Sequence, residues 1–185
     1  GSGEPTLHAC LGGLIRGLKR ITDIPVAVLT NGSLLWDEEV RKDLVGADLV
    51  MPSLDAGDGK LFDYVNRPHR SLTFDRMVDG LIAFRREFTG PIWLEVLLLG
   101  GVTAIEAEVR KITEIAAEMR PDRIQLNTVV RPPAESFVLP VPDEQLARLA
   151  LMFTPIAEVI ANRIPPGVGP GSPHTAAEVI CLLQR

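Results

Sequence analysis

Short apolar runs alternate with amphipathic stretches along this chain, and that alternation restricts the fold more than any other feature. Residues 24–29, 47–54, 92–99 and 123–130 read as buried strands, with 157–161 as a further strand. Between them the apolar positions recur at helical spacing. Leu7, Leu11, Leu14, Ile15, Leu18 and Ile21 form one such stripe, and Phe74, Met77, Val78, Leu81, Ile82 and Phe88 another. Shorter patterns predict helices at Trp36, Val40 and Leu44, at Ile105, Val109, Ile112 and Met119, and at Leu146, Leu149 and Phe153. Strand following helix predicts parallel strands joined by right-handed crossovers, an α/β fold.

Local signals refine this pattern. Pro5 is placed to open the first helix, and Thr103 with Glu106 has the spacing of a capping box. Residues 56–69 are polar and hold glycine, so they read as a loop too long for an ordinary connection and therefore a candidate functional segment. The Pro/Gly-rich stretch 164–173 reads as a linker. Thr175 and Glu178 then open a helix within 174–185, the start of a further domain, so the barrel is expected over 1–163.

With 46% apolar residues over 185 positions, the chain has the makings of a buried core. The net charge of −5 argues against a broadly nucleic-acid-binding surface. No apolar run is long enough to span a membrane, and the reading is a cytoplasmic protein with no membrane partner. The two cysteines, Cys10 and Cys181, sit in separate helical patterns and read as reduced. His8, His69 and His174 lack the spacing of metal ligands, so no metal site is expected within the chain.

The strand ends carry the functional signal. Polar or small residues stand at Glu4, Asn31, Ser53 with Asp55, Gly100 and Asn127, and in an α/β barrel or open sheet such ends converge on one mouth. Gln125 and Asn127 lie two apart on a strand and so share a face. The opening stretch Gly1-Ser2-Gly3-Glu4-Pro5-Thr6 adds glycines that let the backbone approach a ligand closely, followed by a carboxylate.

These segments resemble a known family. Gly-Ser-Gly-Glu, Thr-Asn-Gly, Ser-Leu-Asp and a strand ending in Gly-Gly are similar to the core of the radical S-adenosylmethionine (radical SAM) superfamily, over residues 1 to about 162. The fold implied is a partial (βα)6 TIM-like barrel that lacks its first strand. Gly-Glu-Pro-Thr-Leu, Leu-Thr-Asn-Gly-Ser, Ser-Leu-Asp-Ala and Val-Asn-Arg-Pro-His resemble the branch that includes the wyosine tRNA-base synthases.

The resemblance implies a cosubstrate, S-adenosylmethionine, and a set of contacts to it. Gly3 and Glu4 would meet its methionyl amino group, through a charge-assisted hydrogen bond. Thr30 and Asn31 would lie beside the methionyl or ribose portion, Ser53 and Asp55 would take the ribose hydroxyls, and Gly100, Gln125 and Asn127 would flank the adenine. Lys60, Tyr64, Asn66, Arg67 and His69 would contact substrate, with Arg67, Arg70 and Arg131 available to the phosphates of a tRNA. Flavodoxin or ferredoxin is the implied electron donor. Simpler readings stand beside two of these: a plain turn for 30–32 and an Asx-turn for Asp55.

One departure is large. The family's CxxxCxxC motif, which holds a [4Fe-4S] cluster, is absent, so the reductive cleavage to a 5′-deoxyadenosyl radical is expected of a longer parent whose cluster ligands lie upstream. The alternative is a non-catalytic barrel that acts as a binding or interaction module. A Schiff-base aldolase needs a desolvated strand-end lysine, and Lys19, Lys42, Lys60 and Lys111 fall elsewhere. A dinucleotide fold needs a third glycine and a preceding strand, and neither is present.

Overall fold

A computed structural model describes residues 3–129 and 138–160. The expected linker 164–173, the helix within 174–185, Arg131, His174 and Cys181 lie outside the described residues. The helices are α1 (Leu11–Ile21), α2 (Glu38–Leu44), α3 (Gly59–Val65), α4 (Phe74–Glu87), α5 (Glu106–Met119) and α6 (Asp143–Ala150). The strands are β1 (Ala27–Thr30), β2 (Leu49–Pro52), β3 (Trp93–Leu98), β4 (Arg123–Thr128) and β5 (Glu158–Val159).

The strands run parallel, in sequence order. β1 pairs β2 from Ala27 opposite Leu49 to Thr30 opposite Pro52, and β3 pairs β4 from Trp93 opposite Arg123 to Leu98 opposite Thr128. β5 extends the second group through Gln125 opposite Glu158. Bridges at Val50–Ile92 and Ser53–Glu95 lay β2 beside β3, with Leu54 N–H donating to Glu95 O at 2.9 Å. The result is the α/β fold of parallel strands that the alternation of segments predicts, in the partial-barrel form that the resemblance implies.

The two faces of the sheet differ. Val28, Val50, Leu94, Val96, Leu98, Ile124 and Leu126 are buried and share one core with Leu11, Ile15, Leu81, Phe84, Val109, Ile112 and Leu146 of the helices. The alternate residues Met51, Ser53, Trp93, Glu95, Leu97, Arg123, Gln125, Asn127 and Glu158 are only half-buried. A parallel sheet ordinarily hides both faces. Among the described residues this second face is only partly covered, and it is lined largely by polar side chains.

Several local expectations are corrected. Pro5 opens a three-residue 3-10 turn, Pro5–Leu7, and the helix proper begins at Leu11. The segment expected to be a loop contains α3: Asp58 caps it by accepting from Leu61 N–H at 3.0 Å, and Phe62 is buried beneath it. The capping box at Thr103 does not form. Thr103, fully buried, accepts instead from Leu99 N–H at 2.9 Å at the end of β3, and α5 starts from Ile105 without a side-chain cap.

Candidate functional site

The 3-10 turn brings Glu4 to the end of β1. Glu4 Oε1 accepts from Thr6 N–H at 3.1 Å, from the Thr6 hydroxyl at 2.6 Å and from the Thr30 hydroxyl at 2.6 Å. Oε2 accepts from Asn31 N–H at 2.7 Å. A carboxylate offers about four lone-pair sites in all, two per oxygen. Oε1 is therefore saturated, while Oε2 keeps one acceptor site in a half-buried position.

The segment 30–33 is a turn as well as a site element. Asn31 Oδ1 accepts from Ser33 N–H at 2.9 Å, an Asx-turn, and Gly32 takes a φ of 73° that side-chain-bearing residues rarely adopt. Ser53 N–H donates to Thr30 O at 3.1 Å, which joins this corner to the end of β2. Thr30 itself is 4% exposed, and its hydroxyl proton is committed to Glu4. It therefore does not lie where a ligand would touch it.

Asp55 stands beyond β2 and faces β3. Its carboxylate accepts from Leu97 N–H at 3.0 Å and from the Asn66 amide at 3.1 Å. These partners are on another strand and another helix end, so no local Asx-turn is formed. Asp55 is half-buried between these partners. Burial pushes its carboxyl up to about 6, the two hydrogen bonds oppose that rise, and the negative charge of Glu95 adds to it.

A row of side chains crosses this face at one level: Ser53 just past β2, then Glu95, Gln125 and Glu158 on β3, β4 and β5. Glu95 accepts a long 3.4 Å bond from the Asn127 amide. One level lower, the Arg123 guanidinium sits 4.7 Å from the Trp93 ring centre and 3.8 Å from Glu158. Glu95, Trp93, Arg123 and Glu158 escaped the sequence reading. The signal is the strict two-residue alternation of Trp-Leu-Glu-Val-Leu and Arg-Ile-Gln-Leu-Asn, whose polar half places Trp93, Glu95 and Arg123 on the same face as Gln125 and Asn127.

The remaining expected residues fall into two groups. Asn66 joins the site through Asp55. Lys60, Arg67 and His69 are exposed, and the His69 ring engages its own turn, with Nδ1 2.8 Å from the Ser71 hydroxyl. Gly100 donates its N–H to Leu139 O at 2.8 Å, and a Cβ there would lie 2.8 Å from Pro140 O. The segment after residue 138 thus packs directly on Gly100, which explains glycine there without a ligand.

Lysine chemistry finds no support. Lys19 pairs with Asp48 at 2.6 Å, Lys42 pairs with Glu38 and Glu39 at 2.8 Å each, and Lys111 pairs with Asp58 at 2.6 Å. Their acidic hydrogen-bond partners hold the Lys42 and Lys111 ammonium groups above the ordinary lysine value, opposite to what a Schiff base needs. A groove of about 440 Å3 between α5 and α6, lined by Ile105, Arg110, Gln145, Arg148 and Met152 among others, includes none of the strand-end residues.

Among the described residues no group of three His, Cys, Asp or Glu side chains could hold a metal ion. With two cysteines in the whole sequence, this chain does not fit the three-thiolate ligand set of a [4Fe-4S] cluster. The strand ends do fit a ligand carrying an ammonium group and hydroxyls, since they offer an open acceptor at Glu4 and a carboxyl at Asp55. Among the described residues no helix is long and apolar enough to cross a membrane.

Comparison with known proteins bears on the family and the fold. The model of the Radical SAM superfamily matches residues 1–124. The chain is 46% identical over 153 residues to "GTPase Obg" of Brachyspira hyodysenteriae, covering 83% of this chain and 22% of that protein. It is 37% identical over 154 residues to "UPF0026 protein MJ1312" of Methanocaldococcus jannaschii, covering 83% of this chain and 48% of that protein. The chain therefore spans half or less of the length of these relatives. A crystal structure of a domain of pyruvate-formate lyase-activating enzyme from Bacteroides vulgatus is similar at a TM-score of 0.66 and 20% identity, over 86% of this chain and 95% of that one. At that identity the likeness is one of fold.

Proposed function

The chain belongs to the radical SAM superfamily, and from that premise we propose that its strand ends bind S-adenosylmethionine, with Glu4 receiving the methionyl ammonium. The observation that carries this reading is the Glu4 carboxylate, saturated on one oxygen and holding one acceptor site beside Asn31 N–H on the other. An ammonium donating to Oε2 forms a charge-assisted bond to a group already held in place. Asp55 and Ser53 take the ribose hydroxyls: Asp55 is fixed by Leu97 N–H and Asn66, and its half-accessible position leaves room for a hydroxyl donor. Gln125 and Asn127, on one face of β4, lie along the adenine, with Asn31 and Gly3 at the opposite end.

When bound, S-adenosylmethionine supplies a carbon-centred radical on one-electron reductive cleavage. This chain's own residues bind and orient it. Glu95 and Leu97, half-buried on the partly covered face of β3, lie nearest the strand ends and form the floor of the proposed site. The whole enzyme, on this reading, draws its cluster ligands from outside this chain and its electron from a flavodoxin or ferredoxin. Its substrate is a tRNA base, a choice supported by the wording resemblance and by the exposed Arg67 and Arg70. Family membership does not favour the alternative of a non-catalytic interaction module.

The test is equilibrium dialysis of the chain with S-adenosylmethionine, wild type against Glu4→Gln. Loss of the charged acceptor weakens binding by at least about tenfold, the worth of one hydrogen bond to a charged group. Equal binding by the two proteins removes Glu4 from the site.

A further inference from the structure

Building on the reading that Glu4 receives the methionyl ammonium, we propose that Thr6 and Thr30 are positioning residues, whose buried hydroxyls saturate one Glu4 oxygen and so present the other to the ligand. Neither threonine reaches a ligand itself, since they are 6% and 4% exposed. Each hydroxyl has one proton to give, and both go to Oε1 at 2.6 Å, the short distance of a bond to a charged acceptor.

The direction of the Thr30 bond follows from its partner, since a carboxylate only accepts and the hydroxyl must donate. The Thr30 oxygen in turn accepts from Gly32 N–H at 3.1 Å, which holds the hydroxyl in place. That contact depends on the turn, in which Gly32 takes a φ of 73°. Thr6 works from the other side. It lies two residues from Glu4 in the 3-10 turn and donates both its N–H and its hydroxyl to the same oxygen. One clamp is local in sequence, and the other reaches across 26 positions from the end of β1.

The consequence is a division of labour between the two oxygens. Oε1 carries three donors and has no capacity left. Oε2 carries only Asn31 N–H at 2.7 Å. Without the hydroxyls only two backbone groups hold the carboxylate, Thr6 N–H on Oε1 and Asn31 N–H on Oε2; its terminal bond is a broad torsion with little intrinsic preference, and the open site would be less sharply directed. Thr30 is thus assigned a role behind the site, in place of the ligand contact expected from the sequence.

Four proteins test this: wild type, Thr30→Val, Thr6→Val and Thr30→Ser. Each is titrated calorimetrically with S-adenosylmethionine and with 5′-methylthioadenosine, which keeps the adenine and ribose but lacks the ammonium-bearing chain. Each valine variant should bind S-adenosylmethionine about tenfold more weakly and 5′-methylthioadenosine as wild type does, and Thr30→Ser should restore the loss. Thr6 lies outside the sheet, so Thr6→Val decides the matter if the strand variant does not fold. Unchanged affinity for S-adenosylmethionine in the valine variants, or an equal loss of both nucleosides, overturns the positioning role while leaving the binding site standing. A wild-type chain that binds neither nucleoside overturns the binding site and the positioning role together.

Discussion

The Thr30 hydroxyl donates to Glu4 Oε1 at 2.6 Å across 26 positions of sequence, and this bond fastens the opening turn to the end of β1. Pro5 makes the 3-10 turn rigid, and Thr30 closes the barrel-side corner of the same network. A ligand site built this way depends on backbone geometry as much as on the carboxylate.

Gly32→Ala tests that dependence. Alanine at a φ of 73° costs about 1–2 kcal/mol relative to glycine. The added Cβ also lies 3.3 Å from Leu81 Cδ2, so the neighbouring helix has to give slightly. Urea unfolding should show that loss. A variant as stable as wild type contradicts the turn geometry.

Asp55 should titrate near 6, against an ordinary 3.8, because burial disfavours its charged form. Between those values the folded chain holds more protons at this site than the unfolded chain does. The contribution of Asp55 to stability is therefore full below about pH 4, falls as pH rises towards 6, and is flat above that. The side-chain carboxyl carbon, followed by NMR, should move with a midpoint near 6, and Glu95→Gln should lower that midpoint by removing a like charge. A wild-type midpoint at the ordinary value contradicts the enclosed setting.

Thr103→Val should cost about 1–3 kcal/mol, since it strands the buried Leu99 N–H without an acceptor. Glu106→Gln should stay within about 0.5 kcal/mol, because Glu106 takes no part in a cap. Chemical denaturation separates the two. The reverse order would restore the capping box that the sequence spacing implies.

How far the sequence could be read follows from the physics of each signal. The central strands were legible because a buried parallel strand needs an unbroken or strictly alternating apolar set. The helices α1, α4 and α5 were legible because each buries a full stripe. Helix α3 was hidden since Gly57, Asp58, Gly59 and Lys60 make its first turn look like a loop, although Leu61, Phe62 and Val65 carry the apolar face. Thr103 misled because a threonine hydroxyl accepts equally well from a helix start and from a strand end, and spacing does not distinguish them.

In the site itself, Glu4, Asn31 and Asp55 were legible as polar groups at strand ends. Their mutual geometry was not, because the bonds from Thr30 to Glu4 and from Leu97 to Asp55 join positions 26 and 42 residues apart. Only the register of the strands brings them together. The same holds for Glu95 and Gln125, whose neighbourhood depends on β3 pairing β4 in that register.

The most direct test of the central claim is a two-dimensional amide NMR titration of the 15N-labelled chain with S-adenosylmethionine. The account predicts saturable shifts at the amides of Gly3, Asn31, Ser53, Asp55 and Leu97, along one mouth of the sheet. No saturable shift there, or shifts confined to Ile105, Arg110, Arg148 and Met152 in the groove between α5 and α6, would contradict it.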